Sequence, residues 1–292
     1  MYTISFALFL QWQNLRSPAK RLTEQNSNLS ALVIDLRGHG QSSEREMSKY
    51  DTQSPHTIKN CAFDVMQTLQ TLNLTGTQSP VGIVGHSLGG RIALQYTHAL
   101  MIKDPMSKTL ESFGSEDKSL IYPPQHTWLL DTVPGKAHGS VSNVIHAVSN
   151  VSMPVTSKKD LVNILTKEKN VELAIAQWMT TNLRKSKCGQ GFEFIFDLEV
   201  AKAILEDFSS QEFMQLVDEC LSLSLKSEDG KHFHLVMGGK NEAWTKSVVD
   251  DLDKLRTKFS RLNLVSLPKA GHWVHVDDLD GLMSAMENAF AS

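Results

Sequence analysis

Residues 81–94, VGIVGHSLGGRIAL, constrain this chain more than any other stretch. An apolar run breaks at Gly85-His86-Ser87-Leu88-Gly89 and resumes with helical spacing, so a buried strand must turn directly into a helix. Such a turn holds the serine in a strained backbone conformation, which only small neighbours such as Gly85 and Gly89 permit, and lifts its hydroxyl above the sheet. The next amide, Leu88 N–H, then points from a helix N-terminus toward charge developing on a reacting oxygen.

The rest of the chain supplies a frame for that turn. Strand-like runs fall at Ile4–Leu10, Ala31–Leu36, Val81–Val84, Thr127–Leu130, Phe233–Met237 and Leu262–Leu267. Helical periodicity lies between them, over Thr57–Leu72, Leu88–Leu100 and Lys246–Phe259. Alternation of this kind predicts an α/β fold with a mostly parallel sheet covered by helices on both faces. It lapses between about Pro134 and Asp229, where only helical stretches and loops are legible. Ser157 caps one of these helices, before Leu161–Leu165, with Asp160 at the dipole's positive end; others cover Val171–Leu183, Leu198–Asp207 and Gln211–Leu225. Three segments are therefore expected: core 1–133, an all-helical insertion 134–229 acting as a lid over the carboxyl ends of the strands, and core 230–292. Segment 102–126 reads as a loop.

Composition narrows the function classes. A formal charge of −3, with no basic run interleaved with aromatics, argues against nucleic acid as a partner. No stretch approaches the roughly 18 apolar residues of a membrane span, so a soluble protein is expected. Cys61, Cys188 and Cys220 are odd in number and widely spaced, which fits neither a disulfide framework nor a zinc site and suits a reducing intracellular compartment. The first 22 residues carry an apolar run followed by Arg16, Lys20 and Arg21. The order of charges disfavours a secretory signal, and an organelle transit peptide fits less well than a short strand leading into a helix over about Leu15–Gln25.

Three separated motifs, DLRGHGQS at 35–42, GHSLGG at 85–90 and AGHWVHVD at 270–277, with WLLDTVPGK at 128–136 in support, resemble the alpha/beta-hydrolases. The resemblance is nearest to the branch of alpha/beta hydrolase domain-containing protein 11 and its plant, algal and bacterial esterase relatives. It implies Ser87 as nucleophile and His272 as the base that takes its proton, since a neutral hydroxyl is a poor nucleophile without one. The acid is open between Asp131, in the position this branch uses after the strand that follows the nucleophile helix, and Glu242, after the penultimate strand, with Asp197 third. Leu88 supplies one oxyanion amide. Aligning LRSPAKRL at 15–22 with the family's equivalent helix puts Phe6-Ala7 where relatives carry an HG pair, so Ala7 becomes the second oxyanion residue of an altered, weakened hole.

The same resemblance implies two further N-terminal strands in the relatives, so the chain is expected to be a shortened form. Ile4–Leu10 must then lie between Ala31–Leu36 and the nucleophile strand, leaving Ala31–Leu36 as an apolar edge. His86, His39, His232, His234 and His275 read as structural, and no metal site is expected despite the His232/His234 and His272/His275 spacings. No organic cofactor is required. Three functions remain in view: a serine hydrolase acting on a small carboxylic ester or thioester through an acyl-enzyme, a catalytically impaired module that binds a ligand or partner, and a lyase on the same fold. Trp178, Phe192 and Phe208 in the insertion suggest an acyl substrate. Plastid or mitochondrion follows only from the relatives.

Overall fold

The computed structural model describes residues 5–10, 12–43, 55–104, 120–135, 139–226 and 230–290; most of the loop expected over 102–126 lies outside them. In chain order the first elements are β1 (Ser5–Leu10), α1 (Trp12–Gln25), β2 (Leu29–Ile34), α2 (Ile58–Thr71), β3 (Gly82–His86), α3 (Leu88–Met101) and β4 (His126–Leu130). Then come α4 (Gly139–Ser149), α5 (Lys158–Asn163), α6 (Leu173–Met179), β5 (Leu183–Lys185), β6 (Phe192–Phe194) and α7 (Leu198–Ser210). The chain finishes with α8 (Phe213–Leu225), β7 (His232–Gly238), α9 (Lys246–Lys258), β8 (Leu262–Leu267), α10 (Val274–Asp277) and α11 (Leu279–Met286).

These elements form two compact units, one of residues 1–36, 58–135 and 211–292, the other of 37–57 and 136–210. The first unit holds a six-stranded sheet in the order β2-β1-β3-β4-β7-β8, with every neighbouring pair parallel. All six expected strands are present. β1 fills the slot between β2 and β3, with Leu10 opposite Ile34 on one side and Gly85 on the other. β2 is consequently the edge strand on that side.

Parallel strands covered on both faces need apolar residues pointing both ways, and the buried positions show this. Val84, Trp128, Leu130 and Val236 point to one side, into a core shared with Leu15, Ala19 and Leu22 of α1, Val274 of α10 and Leu282, Met283 and Met286 of α11. Ile83, Leu129 and Leu235 alternate with them and are equally buried. α3 lies against β3, β4, α2 and α8. α8 packs on α3, and the segment from Gln211 onward groups with the sheet unit, while the insertion was expected over 134–229.

The second unit is not all-helical. β5 and β6 form an antiparallel ribbon, Leu183 opposite Phe194 and Lys185 opposite Phe192. Two features of the expected pattern are seen there: the Ser157 hydroxyl accepts from Asp160 N at 3.0 Å, and α7 starts at Leu198. Trp178 and Phe192 pack against a core that includes Leu161, Leu165 and Ala176, which gives them a structural role within the unit. Among the described residues no helix is long and apolar enough to cross a membrane.

Candidate active site

β3 ends at His86 and α3 begins at Leu88, so Ser87 alone makes the turn. Its backbone sits at φ 52°, ψ −113°, a conformation costing a non-glycine residue about 1–3 kcal/mol. Neighbouring backbone holds it there. Ser87 N donates to Leu130 O at 2.9 Å, and Ser87 O accepts from Gly90 N at 3.0 Å and from the Thr132 hydroxyl at 3.3 Å. The glycines are required by space: a Cβ at Gly85 would stand 2.1 Å from Gly89 O, and one at Gly90 would stand 1.8 Å from Thr132 Oγ1.

Asp131 is the first residue after β4 and has φ 44°. Its side chain is fully buried and accepts four hydrogen bonds. Oδ1 takes Gly238 N at 2.8 Å and Trp244 Nε1 at 2.6 Å; Oδ2 takes Asn241 Nδ2 at 2.5 Å and His272 Nδ1 at 2.7 Å. His272 lies in the loop between β8 and α10, its side chain 39% exposed. That loop approaches β7 closely at Gly238, where a Cβ would be 2.0 Å from Gly271 O. An ionised carboxylate can only accept, so Nδ1 of His272 is the donor and Nε2 keeps its lone pair. The fold therefore brings Ser87, Asp131 and His272 to the carboxyl ends of β3, β4 and β8.

A protein-family model described as the alpha/beta hydrolase fold matches residues 29–279. The chain belongs to the alpha/beta-hydrolase family. It is 24% identical over 276 residues to the sn-1-specific diacylglycerol lipase ABHD11 of Danio rerio, covering 92% of this chain and 72% of that one. Among solved structures, a marine microorganism esterase superposes with a TM-score of 0.67 at 17% identity, covering 97% of this chain and 94% of that one. The thioesterase domain from the curacin biosynthetic pathway gives a TM-score of 0.59 at 16% identity, covering 99% and 92%.

Within this hydrolase fold the other candidate acids are elsewhere. Glu242 is exposed in the turn after β7, while its neighbour Asn241 bonds to Asp131. Asp197 caps α7 in the second unit, its Oδ1 accepting from Glu199 N at 2.9 Å and Val200 N at 3.2 Å. Ala7 is also displaced from its expected place. It lies inside β1 opposite Gly82, five residues before Ser87 on the neighbouring strand, whereas the carboxyl end of β1 is Leu10. With a rise of about 3.3 Å per residue, Ala7 is far from the turn. The strand's end leads instead into α1, whose first-turn amides have no intrahelical acceptors.

The histidines divide by burial. His86 is fully enclosed; its Nε2 donates to His272 O at 2.8 Å, and its ring lies 4.7 Å from those of both His272 and His275. Burial, reinforced by the neighbouring imidazoles, pushes its pKa well below the ordinary value. Burial likewise lowers His275 to about 4. Both stay neutral near pH 7, leaving His272 as the partly exposed imidazole of the three. No hydrogen bond joins Ser87 Oγ to His272 among the described residues, a separation common in unliganded sites, where nucleophile and base close up around substrate.

His232 and His234 sit at the opposite, amino end of the sheet with His126, whose Nδ1 is 3.0 Å from His234 Nε2. His234 stacks on Trp128 at 3.9 Å between ring centroids. His39 donates to Arg37 O at 2.8 Å in its own turn. Among the described residues no group of three or more His, Cys, Asp or Glu side chains is placed to hold a metal ion. Cys61 and Cys220 are buried thiols and Cys188 an exposed one, none of them in a disulfide among the described residues.

Three participants carried little signal in sequence. Arg91, four residues after Ser87, is completely buried; its Nη2 donates to Val133 O at 2.9 Å and Gly135 O at 2.5 Å, and its guanidinium lies 4.5 Å over the Phe213 ring. It straps the loop carrying Asp131 to α3. Burial lowers its pKa to about 10, so it remains a cation at neutral pH. Asn241 and Trp244 belong to the GGKNEAW turn, which reads as a stretch that lacks an aspartate rather than as a source of donors.

Proposed function

We propose that this chain is a serine hydrolase that cleaves a carboxylic ester or thioester through an acyl-enzyme. The observation that carries the reading is the 2.7 Å bond from His272 Nδ1 to buried Asp131, at the same end of the sheet as a serine held at positive φ. Ser87 attacks the acyl carbonyl while His272 Nε2 takes its proton; Asp131 fixes the ring and balances the imidazolium that forms. The oxyanion is held by Leu88 N–H at the start of α3 and by an amide in the first turn of α1. His272 then protonates the leaving alcohol or thiol, and water, deprotonated by the same imidazole, releases the acid.

Two relatives support the substrate class: one is named a diacylglycerol lipase and another a thioesterase domain. The binding-module reading rested on Phe6-Ala7 as a damaged oxyanion hole, and the strand register takes that pair away from the sheet's carboxyl edge. Labelling by a fluorophosphonate probe tests the proposal. Wild type is expected to label and Ser87→Ala to stay unlabelled, followed by turnover in an ester and thioester screen. A cooperatively folded wild type that does not label would refute it.

A further inference from the structure

We infer that Asn241 and Trp244 are positioning residues of this site: the turn after β7, where the notional alternative acid Glu242 stands, supplies hydrogen-bond donors to Asp131 instead of the acid itself. The inference rests on the serine-hydrolase reading and deepens it.

Hydrogen-bond accounting carries the argument. Asp131 has two oxygens, and each already accepts two donors. Three of the four partners, Gly238 N, Trp244 Nε1 and Asn241 Nδ2, can only donate, so a carboxyl O–H turned toward any of them would meet another donor. The donors cannot reverse roles. An indole N–H has no acceptor character, Gly238 contributes a backbone amide, and the Asn241 amide is oriented by its own Oδ1, which accepts from Ala243 N at 3.1 Å. Asn241 Nδ2 and His272 Nδ1 share Oδ2, so the amide sets the carboxylate rotation that aims this oxygen at the imidazole. Trp244 and Gly238 hold the other oxygen. Asp131 is thus clamped from both ends, and the histidine tautomer with Nε2 free is the one that clamp selects.

Removing a donor has a direction. With Trp244→Phe an aromatic ring stays but the pyrrole ring and its N–H are lost, so more of the carboxylate's charge falls on the bond to His272. The imidazolium is then favoured, and the acidic limb of the pH–rate profile moves to higher pH. Rotation of the loosened carboxylate lowers the rate at neutral pH by roughly tenfold to a hundredfold, the scale of a small misplacement in a catalytic constellation. Asn241→Asp keeps the Oδ1 that accepts from Ala243 N but sets a second carboxylate against Oδ2. Like charges in one site oblige the pair to hold a proton, and the loss is larger than for Trp244→Phe.

The experiment measures the second-order rate of fluorophosphonate labelling against pH for wild type, Ser87→Ala, Trp244→Phe and Asn241→Asp, with urea unfolding of each as a check on folding. Slower labelling with an upward shift of the acidic midpoint in both turn variants supports the inference. A folded Trp244→Phe that labels at the wild-type rate, or more slowly with an unmoved midpoint, overturns it while leaving the serine-hydrolase reading intact; the second result would mean a merely structural part. A folded wild type that does not label removes both.

Discussion

Replacing Asp131 by asparagine changes one atom, and the structure sets the cost. Four donors converge on the two carboxylate oxygens, two on each. An amide keeps a single acceptor oxygen, so whichever way it is turned, two N–H donors meet an NH₂ group. If Nδ2 replaces Oδ2, Asn241 and His272 lose their acceptor; the reverse flip strands Gly238 N and Trp244. His272 can meet the new NH₂ in its other tautomer, so the cheaper orientation strands one donor, Asn241 Nδ2, at about 1–3 kcal/mol. That is a large share of the roughly 5–15 kcal/mol that keeps a domain folded. Urea unfolding followed by circular dichroism should therefore show a clear fall in midpoint for Asp131→Asn. Glu242→Gln, which alters an exposed carboxylate, should stay within about 0.5 kcal/mol of wild type. Labelling of Ser87 should fall steeply in the first variant and not in the second. Equal midpoints for Asp131→Asn and wild type would refute the four-donor account of the site, and a greater effect of Glu242→Gln would reassign the acid.

Gly90→Ala should lower stability by about 1–3 kcal/mol, because the new methyl would overlap the Thr132 hydroxyl 1.8 Å away; a thermal melt unchanged from wild type would show that the Asp131 loop yields easily. Arg91→Lys should cost nearly as much as Arg91→Met, since one ammonium cannot span the Val133 and Gly135 carbonyls while lying flat on Phe213. A lysine variant that melts with wild type would remove the strap. The protein should weaken as pH falls from about 6.5 toward 4. His275 is neutral when folded, with a pKa of about 4, and takes a proton near 6.5 when unfolded, so stability present above 6.5 is lost on the way down. At pH 5 that residue alone accounts for roughly 2 kcal/mol, with His86, depressed in the same direction, adding to it. Urea midpoints that are flat from pH 7.5 to 5 would contradict this.

The sheet was legible in sequence because strands buried on both faces write continuous apolar runs, as Val81–Val84 does, while the edge strand Leu262–Leu267 keeps a mostly apolar run broken by exposed Asn263 and Ser266. The candidates Ser87, Asp131 and His272 were named for a different reason: each stands in a motif, Ser87 and Asp131 directly after a strand and His272 in the loop that follows β8. What escaped notice had no periodicity to offer. The ribbon of Leu183–Lys185 and Phe192–Phe194 has three residues a side, too few for alternation to register, and α4 is built largely from Ser and Val, neither of them a strong helix former. α1 starts at Trp12, three residues before the helix start expected at Leu15, and apolar positions on a helix nearly repeat after such a shift, so an alignment resting on that helix slips at little cost. The register of β1 against β3 removes the ambiguity, because strand pairing fixes each residue's height in the sheet.

The turn at Ser87 has a consequence for any attempt to harden this protein. Its φ of 52° suits glycine far better than serine, so Ser87 is held in place against its own backbone preference. Ser87→Gly should raise the melting temperature as it abolishes chemistry. Variants selected for heat resistance alone would then be drawn toward inert chains, and screens for a tougher form need to retain a reading of turnover at every round.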